Sequence, residues 1–544
     1  MTVPLRPTPM DLTMHDMAQA HPSTSQTIGV ILHLEGPAPA LSNLRAHVAS
    51  HLEREPRLTH YLHGPGLKAR WHHAPDPDLN HRVREQHLPS GDQHLETALT
   101  GLVAHPLPDT GPLWDIWLLA GYAPGRYAIC LRAHHSTQDG MGLIGTLTAL
   151  FGTAPAPTTH PAPRAGAGAY LGAVRGMLSA SATNNVWNDT ALPLTGHRDI
   201  SWAHVPTQRL RQAATARGGD TNDGFLAALS GALRTWTSQS WPRGADRPLP
   251  AITMVNLRRA EEHDLPGNYC TFAPAPLPCH EPTAEGRLDH VIAATRTAKD
   301  PARHKAMRSV MDLVPARSFQ ALATRLTTPD RATITTSYLA IHRPLRYKQD
   351  PVTRLQPFNW LPRHQPASIV ACSYNGTTSV CFVTDAVLPG LSQLPGLFHD
   401  AVGDLPRSHD DPQAGSRPDQ PPHTGVTLRA PASDRGTTAV IDFDLIKGIL
   451  VHQGNLPADS ITHRATQEEA GIDSLAVTAL SMTLEDRLGV AITEHELAKP
   501  TTIADLVKLV ELVAQRAASS SDHESPEEQG PHPQADRPHA APET

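Results

Sequence analysis

Residues 126–147, RYAICLRAHHSTQDGMGLIGTL, set two adjacent histidines and an Asp-Gly pair between an apolar strand and an apolar helix. Side chains alternate along a strand, so Tyr127, Ile129, Leu131 and Ala133 share a face with His135. Arg132 and His134 point the other way. One histidine can therefore enter a cleft while its neighbour is held behind it. After the turn STQDG, Leu143, Ile144, Leu147, Leu150 and Phe151 follow helical spacing. The turn is clamped between two buried elements, which is what a preorganised catalytic group needs. Gly140 allows close backbone approach, and Asp139 can pair with an arginine. Histidine is costly to bury without a partner. Taken alone, the dipeptide reads better as a core histidine pair on a buried strand than as an active site. A metal is not expected, because adjacent histidines do not converge on one ion and no third ligand follows at helical spacing. A Gly-x-Ser-x-Gly nucleophile elbow is also missing.

The chain has 544 residues, which calls for two to four domains. Its net charge of −7 argues against broad binding to nucleic acid. Five cysteines without a CxxC suggest neither a zinc site nor a disulfide framework, so a cytoplasmic, reducing location is expected. No apolar leader and no membrane-length apolar run is found. Composition divides the chain. A Pro-, Ala- and Gly-rich crossover loop at 152–170 splits a large body into an N-terminal subdomain, 1–155, and a C-terminal one, 156–405. Residues 406–437 read as a flexible linker, 438–516 as a small helical domain and 517–544 as a disordered tail. Strands such as RYAICLRAHH and TSVCFVTDA mix with helical stretches such as TNDGFLAALSGALRTWTS in the large body, so its class is α/β.

In the small module, Val477, Leu480, Leu484 and Leu488 make one apolar helix face. Asp473 and Ser474 stand just before it, and Pro500 and Thr501 open a later amphipathic helix. An N-cap serine on an ordinary bundle would give the same local pattern. Along its full length the module resembles an acyl or peptidyl carrier protein, with Gly471, Asp473, Ser474 and Leu475 matching the Gly-x-Asp-Ser-Leu signature. The resemblance implies a four-helix bundle with 4′-phosphopantetheine attached to Ser474. It also implies an acidic face (Asp473, Glu485, Asp486) for partner enzymes and a need for a phosphopantetheinyl transferase.

His134-His135-x-x-x-Asp139-Gly140 resembles the motif shared by condensation domains of peptide synthetases and related acyltransferases. The flanking sequence resembles the bacterial wax ester synthase/diacylglycerol acyltransferase family. The likeness is carried by PTPMD ending at Asp11, EPRL at 55–58, PLWD ending at Asp115, the Asn222-Asp223 pair, VNLRR with Asn256 and Arg258, PGNY with Asn268, and SYNG at 373–376. Where the family has Ser-Asn-Val-Pro-Gly-Pro, this chain reads TTSYLAIHRPL and keeps Ser337, which argues against wax esters or triacylglycerols as products.

The resemblance implies two chloramphenicol-acetyltransferase-like subdomains forming a V with a central channel. His134, His135, Asp139 and Gly140 would form the catalytic motif. His135 would act as general base on an alcohol or amine acceptor attacking a thioester. Asp139 would be structural, paired with Arg258, and the backbone near Gly140 would face the oxyanion. Asn222, Asp223, Asn256, Arg258, Asn268 and Ser337 would line or support the channel. The expected function is a condensation-type acyltransferase of bacterial secondary metabolism that forms an ester or amide, loaded by other enzymes and carrier proteins. A non-catalytic platform recruiting a tailoring enzyme, and an acyl-CoA-dependent O-acyltransferase, are the alternatives.

Overall fold

The computed structural model describes residues 5–152 apart from 23 and 109, and 183–407 apart from 297, 298, 300, 314 and 327. It also describes 442–521 apart from 453–455, 457, 471, 473–479, 481–483, 485–491, 493 and 498. The chain forms two compact units, Met1–Arg417 and Pro418–Thr544. Among the described residues no helix is long and apolar enough to cross a membrane. The expected crossover loop and linker fall almost wholly on residues outside the described set.

The first unit holds two six-stranded sheets. Strand β1 (Thr27–Glu35) is central in one of them, and eight of its nine residues are buried. Such a near-continuous apolar run is what a strand covered on both faces requires. A separate small ladder pairs β2 (His60–His63) with β3 (Arg70–His73). The first sheet continues with β4 (Val83–His87), β5 (Trp114–Ala123) and β6 (Arg126–His134). Strand β6 lies antiparallel to β1, bringing Thr27 opposite His134 at the end that carries the motif. The helix Gly140–Phe151 follows directly and buries Leu143, Leu147, Leu150 and Phe151.

Arg132 lies on β6 opposite Asp115 of β5, and neither side chain is exposed. Its Nε donates to Asp115 Oδ1 at 2.8 Å and its Nη2 to Oδ2 at 2.5 Å. Nη1 donates to the carbonyls of Leu102 and His105. The flat guanidinium fork suits this bidentate arrangement, and a lysine could not reproduce it. The aspartate of the PLWD segment is thus a strut under the motif strand.

The second sheet runs β7 (Arg198–Pro206), β14 (Thr377–Asp385), β13 (Ala367–Tyr374), β10 (Ile334–Ala340), β8 (Ala251–Asn256) and β9 (Cys270–Pro274). Strand β10 is parallel to both β8 and β13. The helix Thr221–Ser240 packs on it through Phe225, Leu229, Leu233 and Trp236, and opens with a reciprocal Asp220–Asp223 capping box.

The expected division at 155/156 follows chain order, but the two halves do not each keep to one sheet. Strands β11 (Arg346–Tyr347) and β12 (Asp350–Phe358) come from the second half and extend the first sheet beside β1. Conversely, the helix Pro9–Ala20 puts Met10 among Val255, Leu257, Met307 and Phe319 of the second half. The physical reason is edge coverage. Without β12, the side of β1 away from β6 would be an unpaired hydrophobic edge.

In the second unit the described helices are Phe443–His452, Glu494–Leu497 and Ile503–Ser521. Leu480 and Leu484, from the expected apolar face, are fully buried with Ile446, Leu450, Ile503 and Leu506. The last helix starts at Ile503 rather than at Pro500 or Thr501. Thr502 and Asp505 exchange hydrogen bonds at its start. It runs to Ser521, past the expected boundary at residue 516.

Replacing Asp115 by alanine would leave the Arg132 charge buried and unpaired. A loss of about 3–5 kcal/mol is expected, read as a lowered urea midpoint for the transition of the first unit.

Candidate active site

The end of β6, the turn after it and the first turn of helix Gly140–Phe151 face the segment 266–270 across the two sheets. Gly267 N donates to the Thr137 carbonyl at 2.7 Å, so the motif turn is stitched to the second sheet's side by backbone. Gly267 has φ +112°, and a Cβ there would lie 2.9 Å from Asp11 Oδ2. Only glycine lets the chain pass this close in this conformation.

Asp139 caps the helix. Its Oδ1 accepts from Gly142 N at 2.7 Å and from Arg258 Nη2 at 3.0 Å, and its Oδ2 accepts from Tyr269 N at 2.8 Å. Burial works against the charge, but Arg258 and the two amides outweigh it and hold the carboxyl below its ordinary pKa. Arg258 also donates to the carbonyls of Glu262, Leu265 and Gly267. Asp139 is therefore a joint between the two sides, with both carboxylate oxygens engaged by protein donors.

His134 and His135 are both half-buried, yet they differ. His134 Nδ1 accepts from Ser136 N at 3.2 Å and lies 2.8 Å from Ser136 Oγ. Burial pushes its pKa down to about 3, so it stays neutral and serves the turn. His135 N donates to the Gln26 carbonyl at 2.9 Å. Its Nδ1 lies 2.9 Å from Asn268 Oδ1. Burial lowers its pKa too, which keeps the imidazole in its basic form near neutral pH.

His135 opens into a cavity of about 170 Å³. Asp139, Gly140, Asn256, Cys270, Ser337 and Phe358 are among its lining residues. The Cys270 thiol is pushed well up by burial, so it supplies no thiolate nucleophile. The Phe358 ring packs against Gly29, where a Cβ would come within 2.2 Å of it. A larger groove of about 430 Å³ lies elsewhere, along the helix Asp92–Ala104 near Trp117, and holds none of the expected site residues.

Of the residues singled out by sequence, His134, His135, Asp139, Gly140, Asn256, Arg258, Asn268 and Ser337 thus converge on one place. Asn222 and Asp223 do not line the cavity. Asp223 is committed to its capping box, to Thr295 at 2.6 Å and to Lys299 at 2.6 Å. Asp473 and Ser474 lie outside the described residues. Sequence reasoning gave no role to Asp11, Arg57 or Phe358. Arg57, ion-paired with Glu55, reaches the Gly142 carbonyl at 3.3 Å from behind the helix. The PTPMD segment marks Asp11 as part of the family pattern without assigning it a role, and the Thr8-Pro9 pair is a helix-start signal that points to order there.

Residues 9–186 match the wax ester synthase/diacylglycerol acyltransferase catalytic domain, and 266–405 match the C-terminal domain of the same family. Residues 444–510 match a phosphopantetheine attachment site. The chain carries both domains of that family, fused to a carrier domain. A putative diacylglycerol O-acyltransferase of Mycobacterium bovis is 28% identical over 279 residues, covering 42% of this chain and 54% of the relative. Another, of Mycobacterium tuberculosis, is 24% identical over 297 residues, covering 46% of this chain and 63% of the relative. The chain thus spans about half the length of the first of these relatives. In fold, it is similar to the wax ester synthase/diacylglycerol acyltransferase from Marinobacter aquaeolei (TM-score 0.53, 18% identity, 74% of this chain and 98% of that one). It is also similar to the first condensation domain of the CDA synthetase (TM-score 0.52, 17% identity, 75% and 98%). These likenesses establish the chloramphenicol-acetyltransferase-like α/β architecture. The catalytic-domain match takes in His134, His135 and Asp139, and the C-terminal match begins one residue before Gly267.

Replacing Asp139 by alanine strands the Arg258 charge and uncaps the helix. We expect about 3–5 kcal/mol of destabilisation, read by chemical denaturation.

Proposed function

We propose that this chain is a condensation-type acyltransferase. It joins a thioester-held acyl or aminoacyl group, carried on the phosphopantetheine of its own Ser474 or delivered by another carrier, to an alcohol or amine. The observation that carries this reading is a neutral His135 at the head of a cavity between two sheets, in a chain that also bears a carrier domain. Ser474 supplies the primary hydroxyl that a phosphodiester link requires. It stands in the Gly-Ile-Asp-Ser-Leu sequence just ahead of the buried Leu480 and Leu484. When attached, the arm presents the acyl group as an activated thioester on a long reach.

His135 accepts the proton of the acceptor's O–H or N–H as that atom attacks the thioester carbonyl. A protein nucleophile is not required, in keeping with the protonated thiol of Cys270. Gly140 and Met141 line the cavity at the start of their helix, and we assign their amides to the developing oxyanion. Holding both reactants in line supplies much of the remaining rate.

The cavity volume bears on the substrate class. At about 170 Å³ it is close to the roughly 150 Å³ of cavities that hold one benzene ring. It suits a short acyl or aminoacyl group better than a long fatty chain. Ser337, Asn256 and Asn359 give its wall polar points as well. Together with the replaced loop at 335–345, this supports a reading in which the products belong to secondary metabolism rather than to storage lipids.

Incubation with a broad-specificity phosphopantetheinyl transferase and CoA should add one phosphopantetheine by intact mass, and none to Ser474→Ala. A folded wild-type protein that gains no mass would remove the carrier from the reading. With loaded carrier, His135→Ala should lower product formation by roughly 10²–10⁴-fold. Unchanged turnover in that variant would favour a docking platform. Short acyl donors should give higher kcat/KM than palmitoyl. CoA-bound donors outperforming carrier-bound ones would favour an acyl-CoA-dependent enzyme.

A further inference from the structure

Asp11 and Asn268 lie 257 positions apart in sequence, and both are buried beside the catalytic histidine. Asn268 Nδ2 faces two acceptors, Asp11 Oδ1 at 2.9 Å and the His135 carbonyl at 2.7 Å. Two acceptors at one end of an amide fix that end as the NH2. The other end is then the carbonyl oxygen, and it meets His135 Nδ1 at 2.9 Å. An amide oxygen only accepts, so Nδ1 must carry the proton. His135 Nε2, which has no partner among the described residues, is left with the free lone pair. Asp11 is held in turn. Its Oδ1 accepts from Asn268 N at 2.6 Å, its Oδ2 accepts from Thr8 N at 2.7 Å, and Thr8 Oγ1 donates to the Asn268 carbonyl at 3.0 Å.

We propose that Asn268 and Asp11 are positioning residues that set the orientation and tautomer of His135, with Asn268 as the direct contact and Asp11 acting through it. The inference rests on His135 being the general base. In the transfer step the acceptor's proton moves to Nε2, while Nδ1–H stays on Asn268 Oδ1. Asn268 is neutral and cannot take a proton. The negative charge that favours imidazolium sits one residue further back, on Asp11, and acts through a polarised amide. Among the described residues no cation is ion-paired with Asp11. Burial pushes its pKa up to about 6, against the pull of the Asn268 and Thr8 hydrogen bonds. The ionisable groups around it are Tyr269 and Cys270, both kept neutral by burial, the Asp139–Arg258 pair, His134 and His135, and His15 one turn along its own helix. The charge on Asp11 is therefore complete above that pH and lost as the pH falls through it.

Three readouts test this. The imidazole ¹⁵N spectrum of the wild-type full chain, with His135 assigned by its loss in His135→Asn, should show a protonated Nδ1 and a bare Nε2. A protonated Nε2 would overturn the proposal whatever the variants do. Asn268→Leu should lower kcat at least about tenfold with KM within about twofold, and move His135 toward the other tautomer. Asp11→Asn, which preserves shape should Asn268→Leu fail to fold, should also lower kcat. It should also abolish the acid limb near pH 6 and leave only the later fall due to His135. A role confined to capping the helix Pro9–Ala20 predicts instead a lower Tm with unchanged kcat and pH profile. Activity surviving in His135→Ala would defeat the general-base reading itself. Full activity in Asn268→Leu together with loss in His135→Ala would defeat only the present inference.

Discussion

The buried carboxylate of Asp139 is the interaction on which the site's geometry depends. It belongs to the first sheet's motif turn, yet it takes a guanidinium and a backbone amide from the far side of the cavity. An unpaired charge there would cost several kcal/mol, so the two sides cannot separate locally without paying that penalty. The same carboxylate caps the helix that follows, whose first residues line the cavity. One group thus fixes the turn, the helix start and the registration of Gly267 against Thr137. The Arg132–Asp115 fork does the corresponding work one strand deeper, on the opposite face of β6 from Leu131 and Ala133. Motif position is set by two buried ion pairs rather than by apolar packing alone.

Much of this was legible in the sequence because it is local. The strand–turn–helix around His134 and His135 follows from alternation, then a polar turn, then helical spacing. The helix opened by Asp220 follows from its capping residues. In the carrier module, the burial of Leu480 and Leu484 follows from their four-residue spacing. What stayed hidden is non-local. Nothing near Asp11 announces that its carboxylate will meet Asn268, and nothing near Phe358 announces that its ring will lie on Gly29. Strand β12 belongs to the second half of the chain yet joins the first sheet, since sheet membership depends on which edge is left open. For Asp223 the structure favours the supporting role over a lining one, since its carboxylate is engaged by the capping box, Thr295 and Lys299.

The two histidines show how environment divides the work of identical residues. Both are desolvated, and desolvation alone would simply make each a weak base. His134 is closed on itself by Ser136 within its own turn. His135 instead meets an acceptor that belongs to another segment, and that acceptor stands in front of a carboxylate. A ring whose far nitrogen is committed and whose near nitrogen is free is prepared for proton transfer before any substrate arrives. That preparation costs conformational freedom, and the surrounding packing of Asp11, Asn268 and Gly267 has to supply it.

Chemistry and specificity are accordingly carried by different parts of the molecule. The groups proposed to handle the proton and to frame the oxyanion come from residues 11, 134–142 and 267–269, and hydrogen bonds tie Asp11 to Asn268, Asn268 to His135, and Asp139 to Gly142 and Tyr269. The groups that bound the cavity, Ser337, Leu339, Met254 and Phe358, come from strands whose backbones are fixed by the sheets but whose side chains only pack. Side chains of the second kind can be exchanged at the cost of local repacking, whereas loss of a member of the first kind leaves a buried polar group without its partner. The segment TTSYLAIHRPL departs from the family pattern in the part of the wall where departure is cheapest. A chain can therefore keep the buried polar frame of this family while the packing side chains of its cavity wall are exchanged.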